Sequence, residues 1–199
     1  MKKCVVLTSV IFSLIMHSCG LRNDRHIAAR PVIVTRGEWQ AATARPYKSH
    51  KPVRITVHHE GTLIDSTKNV AVFIKNIQRW GMGNDRKWAD VPYHFFVAPD
   101  GRVYEGRNVF TAGETATEYD PSGHLLISCL GNFEKQEIPK KQLDALVALI
   151  AYCSRKYDIA TDSLGTHRDH SGKTDCPGKN LYRYFADGSV GKRVKELQQ

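Results

Sequence analysis

Residues 125–130 constrain the fold of this chain more than any other segment. They read Leu-Leu-Ile-Ser-Cys-Leu, almost entirely apolar and without alternation. A strand with one face in water alternates apolar and polar residues, whereas an unbroken apolar strand is typical of a sheet centre covered on both faces. A chain of 199 residues is long enough to bury such a core in one domain. The sequence therefore predicts an α/β domain built around a central sheet.

Other strand-like and helix-like patterns flank this segment. The strand-like segments are residues 53–58, 93–98 and 103–105, the last two joined by a turn at residues 99–101. Apolar residues at helical spacing predict three helices: one capped by Ser66, one opening at Pro139 and one after Gly178. We expect a single domain over residues 36–199, with a mixed β-sheet flanked by helices.

The N-terminus resembles an export signal. Lys2 and Lys3 precede the apolar run 4–16, and Ser18 closes it, so residues 1–18 are interpreted as a signal peptide. The run is too short to span a bilayer comfortably. Cys19 resembles the lipid-attachment cysteine of bacterial lipoproteins, with plain cleavage and a free thiol as the alternative. Residues 19–35 would then be the anchor and its polar tether, which predicts an exported protein of the cell envelope, either a membrane-anchored lipoprotein or periplasmic.

The charge balance indicates an anionic partner. The chain has 29 Lys and Arg against 20 Asp and Glu, which favours nucleic acid, anionic lipid or a cell-wall polymer. No basic helix or aromatic-basic strand pattern is present, and the predicted export separates the chain from DNA, so nucleic acid is excluded as a partner. We expect a monomer.

Three potential metal ligands lie in different parts of the sequence. His58 ends a predicted strand, His167 follows Gly165-Thr166, and Cys176 lies in a polar loop. Imidazole nitrogen and thiolate sulfur are ligands that Zn²⁺ prefers, and three of them leave a position for water. The spacing alone is a weak signal, because nine histidines produce such sets by chance. Cys129 and Cys153 are interpreted as buried apolar residues, with a mutual disulfide as the alternative.

An ordered set of motifs adds a resemblance. The motifs are T-R-G-E-W at 35–39, I-T-V-H-H at 55–59, Y-H-F-F-V at 93–97, D-G at 100–101, G-N-F at 131–133, G-T-H-R-D at 165–169 and T-D-C-P-G at 174–178. In this order they resemble the zinc-dependent N-acetylmuramoyl-L-alanine amidase family, which includes phage lysozyme-amidases and peptidoglycan recognition proteins. The resemblance implies a central mixed β-sheet flanked by helices, with zinc in a surface cleft.

The resemblance also implies roles for individual residues. His58, rather than His59, would be the first zinc ligand, and His167 and Cys176 would be the others. Tyr93 matches the family tyrosine beside the zinc-bound water. Thr174 matches a position where the family has lysine or threonine, threonine being typical of amidase-active recognition proteins.

The implied reaction hydrolyses the amide between the lactyl group of N-acetylmuramic acid and the L-alanine of the peptidoglycan stem peptide. Zinc lowers the pKa of a bound water to about 7 and, with the Tyr93 hydroxyl, would stabilise the oxyanion; Thr174 would bind the same oxygen or position the water. Glu60 is a candidate base by proximity only, with a solvated loop residue as the alternative. Asp169 would orient a ligand imidazole or pair with Arg168.

Two features bear on substrate recognition. Residues 121–127 depart from the family pattern, which usually has Asn and Ser in a segment facing the substrate. The resemblance therefore assigns no substrate contacts on that wall of the cleft. Trp88 is interpreted as core or rim packing, with a sugar platform as the alternative. A peptidoglycan-binding protein without activity is the competing hypothesis. Because such binders usually lack the cysteine ligand, the presence of Cys176 favours the enzyme.

Overall fold

The computed structural model describes residues 30–65 and 67–199. The predicted signal peptide, Cys19, most of the tether and the predicted Ser66 cap therefore lie outside the described residues. The strands, numbered along the chain, are β1 Ile33–Val34, β2 Arg54–His59, β3 Phe95–Val97, β4 Val103–Glu105, β5 His124–Cys129 and β6 Leu164–Thr166. The helices are α1 Val70–Gly81, α2 Lys140–Lys156, α3 Lys179–Ala186 and α4 Ser189–Glu196.

All six strands form one mixed sheet in the order β1-β4-β3-β5-β2-β6. The β3–β4 hairpin is antiparallel, as the turn at residues 99–101 predicts, and every other neighbouring pair is parallel. Strand β5 pairs with both β2 and β3, and all six of its residues are buried. The prediction of a central strand covered on both faces is confirmed, and so is the α/β fold class.

One face of the sheet is covered by α2, α3 and α4. Leu146 and Ile150 of α2 pack with Ile127 of β5 in a core that also includes Leu181 of α3. Helix α2 begins directly after Pro139, as predicted. Helix α4 was not predicted from the sequence, because only Val190 and Val194 supply buried side chains among its eight residues.

The opposite face is only partly covered. Helix α1 begins at Val70 and is capped by Asn69, whose side chain accepts a hydrogen bond from the Val72 N–H, so the predicted assignment of its cap to Ser66 was wrong. Its Ile74 packs in a cluster with Phe96 and Tyr104, on the β3–β4 half of the sheet. Strand β2 presents Thr56 and His58 on alternate positions to this same side. A polar strip of sheet is thereby left at the floor of a cleft beside α1.

Two cysteines of the core are free thiols. Cys129 and Cys153 are fully buried and unpaired in the described part of the chain, which confirms their interpretation as buried residues.

Within residues 30–65 and 67–199, no helix combines the length and apolar character that crossing a bilayer requires.

His94 shows how the fold fixes a buried imidazole. Its Nδ1 accepts a hydrogen bond from the Leu126 N–H at 2.8 Å, so its Nε2 carries the proton and donates to the Thr111 carbonyl at 3.0 Å. Burial lowers the pKa of His94 from 6.5 to about 3. The folded state therefore keeps this ring neutral, whereas the unfolded chain protonates it near pH 6.5.

This difference predicts acid destabilisation. Between pH 6.5 and pH 3 the unfolded chain binds a proton that the folded chain does not, so stability is lost as the pH falls. For His94 alone, the free energy of unfolding should drop by about 2 kcal/mol from pH 7 to pH 5. Urea denaturation of chelator-treated protein measures this drop, and nuclear magnetic resonance should find the ring neutral at pH 5. Protonation of His94 near pH 6.5 would contradict the prediction.

Candidate functional site

Three chain segments bring His58, His167 and Cys176 together at one end of the sheet. His58 lies at the end of β2, His167 directly follows β6, and Cys176 lies in the loop before α3. The Nδ1 of His58 is 3.7 Å from the Sγ of Cys176. One ligand atom from each residue lies within 4.8 Å of the other two, and all three side chains are buried.

Local hydrogen bonds hold the turn that carries His167. The Asp169 carboxylate accepts from both the backbone N–H and the hydroxyl of Thr166 at 2.7 Å, capping the short 3₁₀ helix His167–Asp169. The sequence-based roles for Asp169, orienting a ligand imidazole or pairing with Arg168, were wrong. Its Oδ2 is used by the cap and its Oδ1 accepts a hydrogen bond from the Tyr182 hydroxyl at 3.2 Å. The Arg168 N–H donates to the Cys176 carbonyl at 2.9 Å and so ties the cysteine loop to the histidine turn.

The cysteine loop is fixed from its other side as well. The Sγ of Cys176 accepts a hydrogen bond from the His59 N–H at 3.3 Å. Two residues later, Gly178 has φ +84°, and a side chain there would overlap the backbone of Phe133 and Glu134. The His59 ring turns away and accepts from the Phe133 N–H at 3.2 Å, as strand alternation predicts.

Burial controls the protonation of the three groups. It lowers the pKa of His58 well below 6.5, with a further contribution from the neighbouring His167, and it lowers the pKa of His167 to about 4. Burial also raises the pKa of the Cys176 thiol to about 12. At neutral pH both imidazoles are therefore uncharged, which is the form that binds metals. The thiol must release its proton to solvent before its sulfur can bind a metal as a thiolate.

The cluster opens into a cleft that Tyr93 and Thr174 also line. The Tyr93 ring centroid is 5.1 Å from that of His58, and burial raises the pKa of the Tyr93 phenol well above 10. The Thr174 Oγ1 accepts from the Cys176 N–H at 3.1 Å. The structure thus places all five residues singled out in the sequence around one opening.

The remaining walls of the cleft are aromatic and acidic. The rings of Trp80 and Trp88 pack edge to face with their centroids 5.4 Å apart. The Arg86 guanidinium lies 4.7 Å from the Trp80 ring centroid. Glu60 and Glu114 also line the cleft. Glu114 forms an ion pair with the buried Arg107 and accepts from the Ala89 N–H, whereas burial raises the pKa of Glu60.

Two residues beside the cluster were missed by sequence reasoning. The Thr117 hydroxyl lies 2.8 Å from the His167 Nε2, and the Tyr119 hydroxyl lies 3.2 Å from the His58 Nε2. They belong to an irregular segment before β5, where no periodicity or motif marks a functional position. Residues 121–127, which depart from the family pattern, do not line the cleft; Thr115, Ala116 and Thr117 do.

Comparisons with known proteins agree with this fold. The sequence profile described as N-acetylmuramoyl-L-alanine amidase matches residues 48–179. Peptidoglycan-recognition protein SC2 of Drosophila simulans is 31% identical over 153 residues, covering 75% of this chain and 82% of the relative.

Two solved structures are similar over most of the domain. The amidase LysC from Clostridium intestinale superposes with a TM-score of 0.67 at 25% identity, covering 83% of this chain and 99% of that one. Peptidoglycan recognition protein-LE in complex with tracheal cytotoxin, a monomeric diaminopimelic acid-type peptidoglycan, gives a TM-score of 0.70 at 28% identity, covering 82% and 98%. With the profile match over most of its length, this chain belongs to the N-acetylmuramoyl-L-alanine amidase family.

Proposed function

We propose that this protein is a zinc-dependent N-acetylmuramoyl-L-alanine amidase that cleaves the bond between the lactyl group of N-acetylmuramic acid and L-alanine in peptidoglycan. The observation that carries the proposal is the convergence of His58, His167 and Cys176 at a cleft lined by Tyr93 and Thr174. Two imidazoles and a thiolate form a three-ligand set of the kind found in catalytic zinc sites.

The geometry of the cluster fits zinc. Tetrahedral bonds of ordinary Zn–S and Zn–N length separate the two ligand atoms by about 3.5 Å, and the Cys176 Sγ and His58 Nδ1 are 3.7 Å apart. Zinc held there would supply Lewis-acid chemistry, polarising a carbonyl and lowering the pKa of a coordinated water to about 7.

Tyr93 and Thr174 would stabilise the reacting carbonyl oxygen. The raised pKa of Tyr93 keeps its phenol protonated, so it can donate a hydrogen bond where negative charge develops. The Thr174 oxygen already accepts from the Cys176 N–H, which leaves its own proton free to donate into the cleft.

Glu60 is the better placed of the two described carboxylates that line the cleft to accept a proton. Glu114 is held by Arg107 and the Ala89 N–H. Glu60 accepts hydrogen bonds from its near neighbour Thr62, whose N–H lies at 3.1 Å, and its raised pKa makes it more basic. We assign Glu60 as the proton acceptor.

Trp88 would contribute binding of the glycan or peptide through its ring. Replacement Trp88→Ala should weaken binding to insoluble peptidoglycan about fivefold or more, because an aromatic contact contributes about 1 kcal/mol. Zinc content should be unchanged. Trp88 is half-buried; Phe110→Ala, which removes an exposed aromatic ring outside the cleft, is the control. The affinity of each variant is measured by sedimenting peptidoglycan with increasing amounts of protein. An affinity of Trp88→Ala equal to that of the wild-type protein would contradict the role of Trp88.

The sequence motifs at the N-terminus support a proposal for the cellular setting. We propose a signal peptide at residues 1–18, a lipid anchor on Cys19 followed by a short tether, and a monomeric amidase domain. The domain includes β1, whose Ile33 and Val34 pair with β4, so it begins before the boundary predicted at residue 36. The protein would be exported and would act on peptidoglycan in the cell envelope. Labelling with palmitate tests the anchor, since a Cys19→Ser variant should lose the label that the wild-type chain carries.

The competing function is peptidoglycan binding without cleavage. Purified peptidoglycan incubated with the zinc-loaded protein should release soluble stem peptides, and a chelator should abolish the release while the protein still sediments with the polymer. Sedimentation without any release, at full zinc occupancy, would establish the binder instead.

A further inference from the structure

Both histidines of the cluster are contacted by a hydroxyl group at the Nε2 atom of the ring. Thr117 and Tyr119 supply these contacts from the segment between β4 and β5. The two ring nitrogens of His58 have different neighbours. Its Nδ1 faces the Cys176 Sγ, and its Nε2 contacts the Tyr119 hydroxyl. In His167 the Nε2 meets Thr117, which leaves Nδ1 free for a ligand.

The proton of each ring follows from this arrangement. A neutral imidazole that gives its Nδ1 lone pair to a metal carries its proton on Nε2. The two hydroxyl oxygens then accept hydrogen bonds from His58 and His167. The Thr117 hydroxyl can in turn donate a hydrogen bond to the Thr115 hydroxyl, because the two Oγ1 atoms are 2.9 Å apart.

Tyr119 is held in place by packing as well as by its hydroxyl. Its ring centroid lies 4.9 Å from that of His167, 5.4 Å from that of His124 and 6.2 Å from that of His170. His124 is itself fixed by a 2.8 Å hydrogen bond between its Nδ1 and the Thr56 hydroxyl. Two of these rings, His124 and His170, lie outside the metal cluster, so Tyr119 has support independent of the cluster and can hold the His58 ring against rotation.

We propose that Thr117 and Tyr119 are positioning residues that fix the tautomer and orientation of the two histidines for zinc binding. This inference rests on the proposed zinc site. Groups that bind the second nitrogen of a ligand histidine typically change metal affinity by about 10- to 100-fold. Here the acceptors are two neutral hydroxyls from one segment, instead of carboxylates.

The test measures zinc affinity of the full chain by competition with a chelator. Tyr119→Phe and Thr117→Val should each weaken zinc binding about 10- to 100-fold. Tyr152→Phe and Thr161→Val make the same chemical changes away from the cleft and should leave the affinity unchanged. Thr117→Ser, which keeps the hydroxyl, should restore most of the affinity lost in Thr117→Val.

A spectroscopic measurement separates positioning from a folding defect. The cobalt-substituted Tyr119→Phe variant should show shifted visible absorption bands, while the melting temperature of the metal-free protein stays at the wild-type value. Unchanged zinc affinity in both variants, beside a wild-type chain that binds zinc, would overturn the positioning roles and leave the zinc assignment standing. A wild-type chain that binds no zinc would overturn both.

Discussion

Replacing Cys176 with alanine should remove zinc and reduce amidase activity by at least about 1000-fold, because a catalytic metal contributes several kcal/mol to transition-state stabilisation. Cys176 supplies the single sulfur ligand of the cluster, and its Sγ contacts both the His58 Nδ1 and the His59 N–H. The two histidines alone leave an incomplete ligand set. Zinc content by atomic spectroscopy and release of stem peptides measure the two effects.

Cys153→Ala is the matched control for Cys176→Ala. Cys153 is also a buried thiol, but it packs in the core beneath the sheet. Its replacement should lower stability, since it leaves a small cavity, and should leave zinc content and activity per folded molecule intact. The Cys176→Ala protein should still sediment with peptidoglycan, because the cleft walls remain. Full zinc occupancy in Cys176→Ala would contradict the ligand assignment.

Replacing Tyr93 with phenylalanine should lower kcat by about 100- to 1000-fold, the usual effect of removing one donor to a developing oxyanion. KM and zinc content should change little, because the hydroxyl acts mainly on the transition state. The ring itself stays, so its contacts with His58 and with Phe96 are preserved. Steady-state kinetics on a soluble muramyl peptide measures kcat and KM separately.

Tyr104→Phe makes the same change on the same face of the sheet, in the neighbouring hairpin, away from the cleft. It should leave kcat unchanged. A Tyr93→Phe enzyme with wild-type kcat would show that the phenol is not an oxyanion donor, whereas an equal loss of zinc would instead indicate a role in the metal cluster.

Periodicity accounts for the parts of the fold that could be predicted. Strand β5 is apolar at four of its six positions, and helix α2 repeats its apolar residues at helical spacing. The strand and the start of the helix were therefore predicted close to where they are observed. Helix α4 has two buried valines among basic and polar residues, and its position is set by packing on α2. Such tertiary contacts leave almost no trace in a short sequence.

The site was predictable where a motif carries it. His58, Tyr93, His167, Thr174 and Cys176 lie in short motifs that the family resemblance identifies. Thr117 and Tyr119 lie in an irregular segment, and their relation to the histidines depends on how that segment crosses the end of the sheet. Asp169 was misassigned because a carboxylate beside a histidine has several possible partners, and the structure uses it to cap a turn.

The identity of the bond that is cleaved tests the proposed activity most directly. Purified peptidoglycan digested in ¹⁸O-labelled water should yield glycan whose muramyl lactyl carboxylate carries one heavy oxygen, together with stem peptides that begin with unlabelled L-alanine carrying a free amine. Mass spectrometry of both fractions reads this directly. Label confined to peptide carboxylates, or to a sugar hydroxyl, or no products at full zinc occupancy, would contradict the proposed amidase.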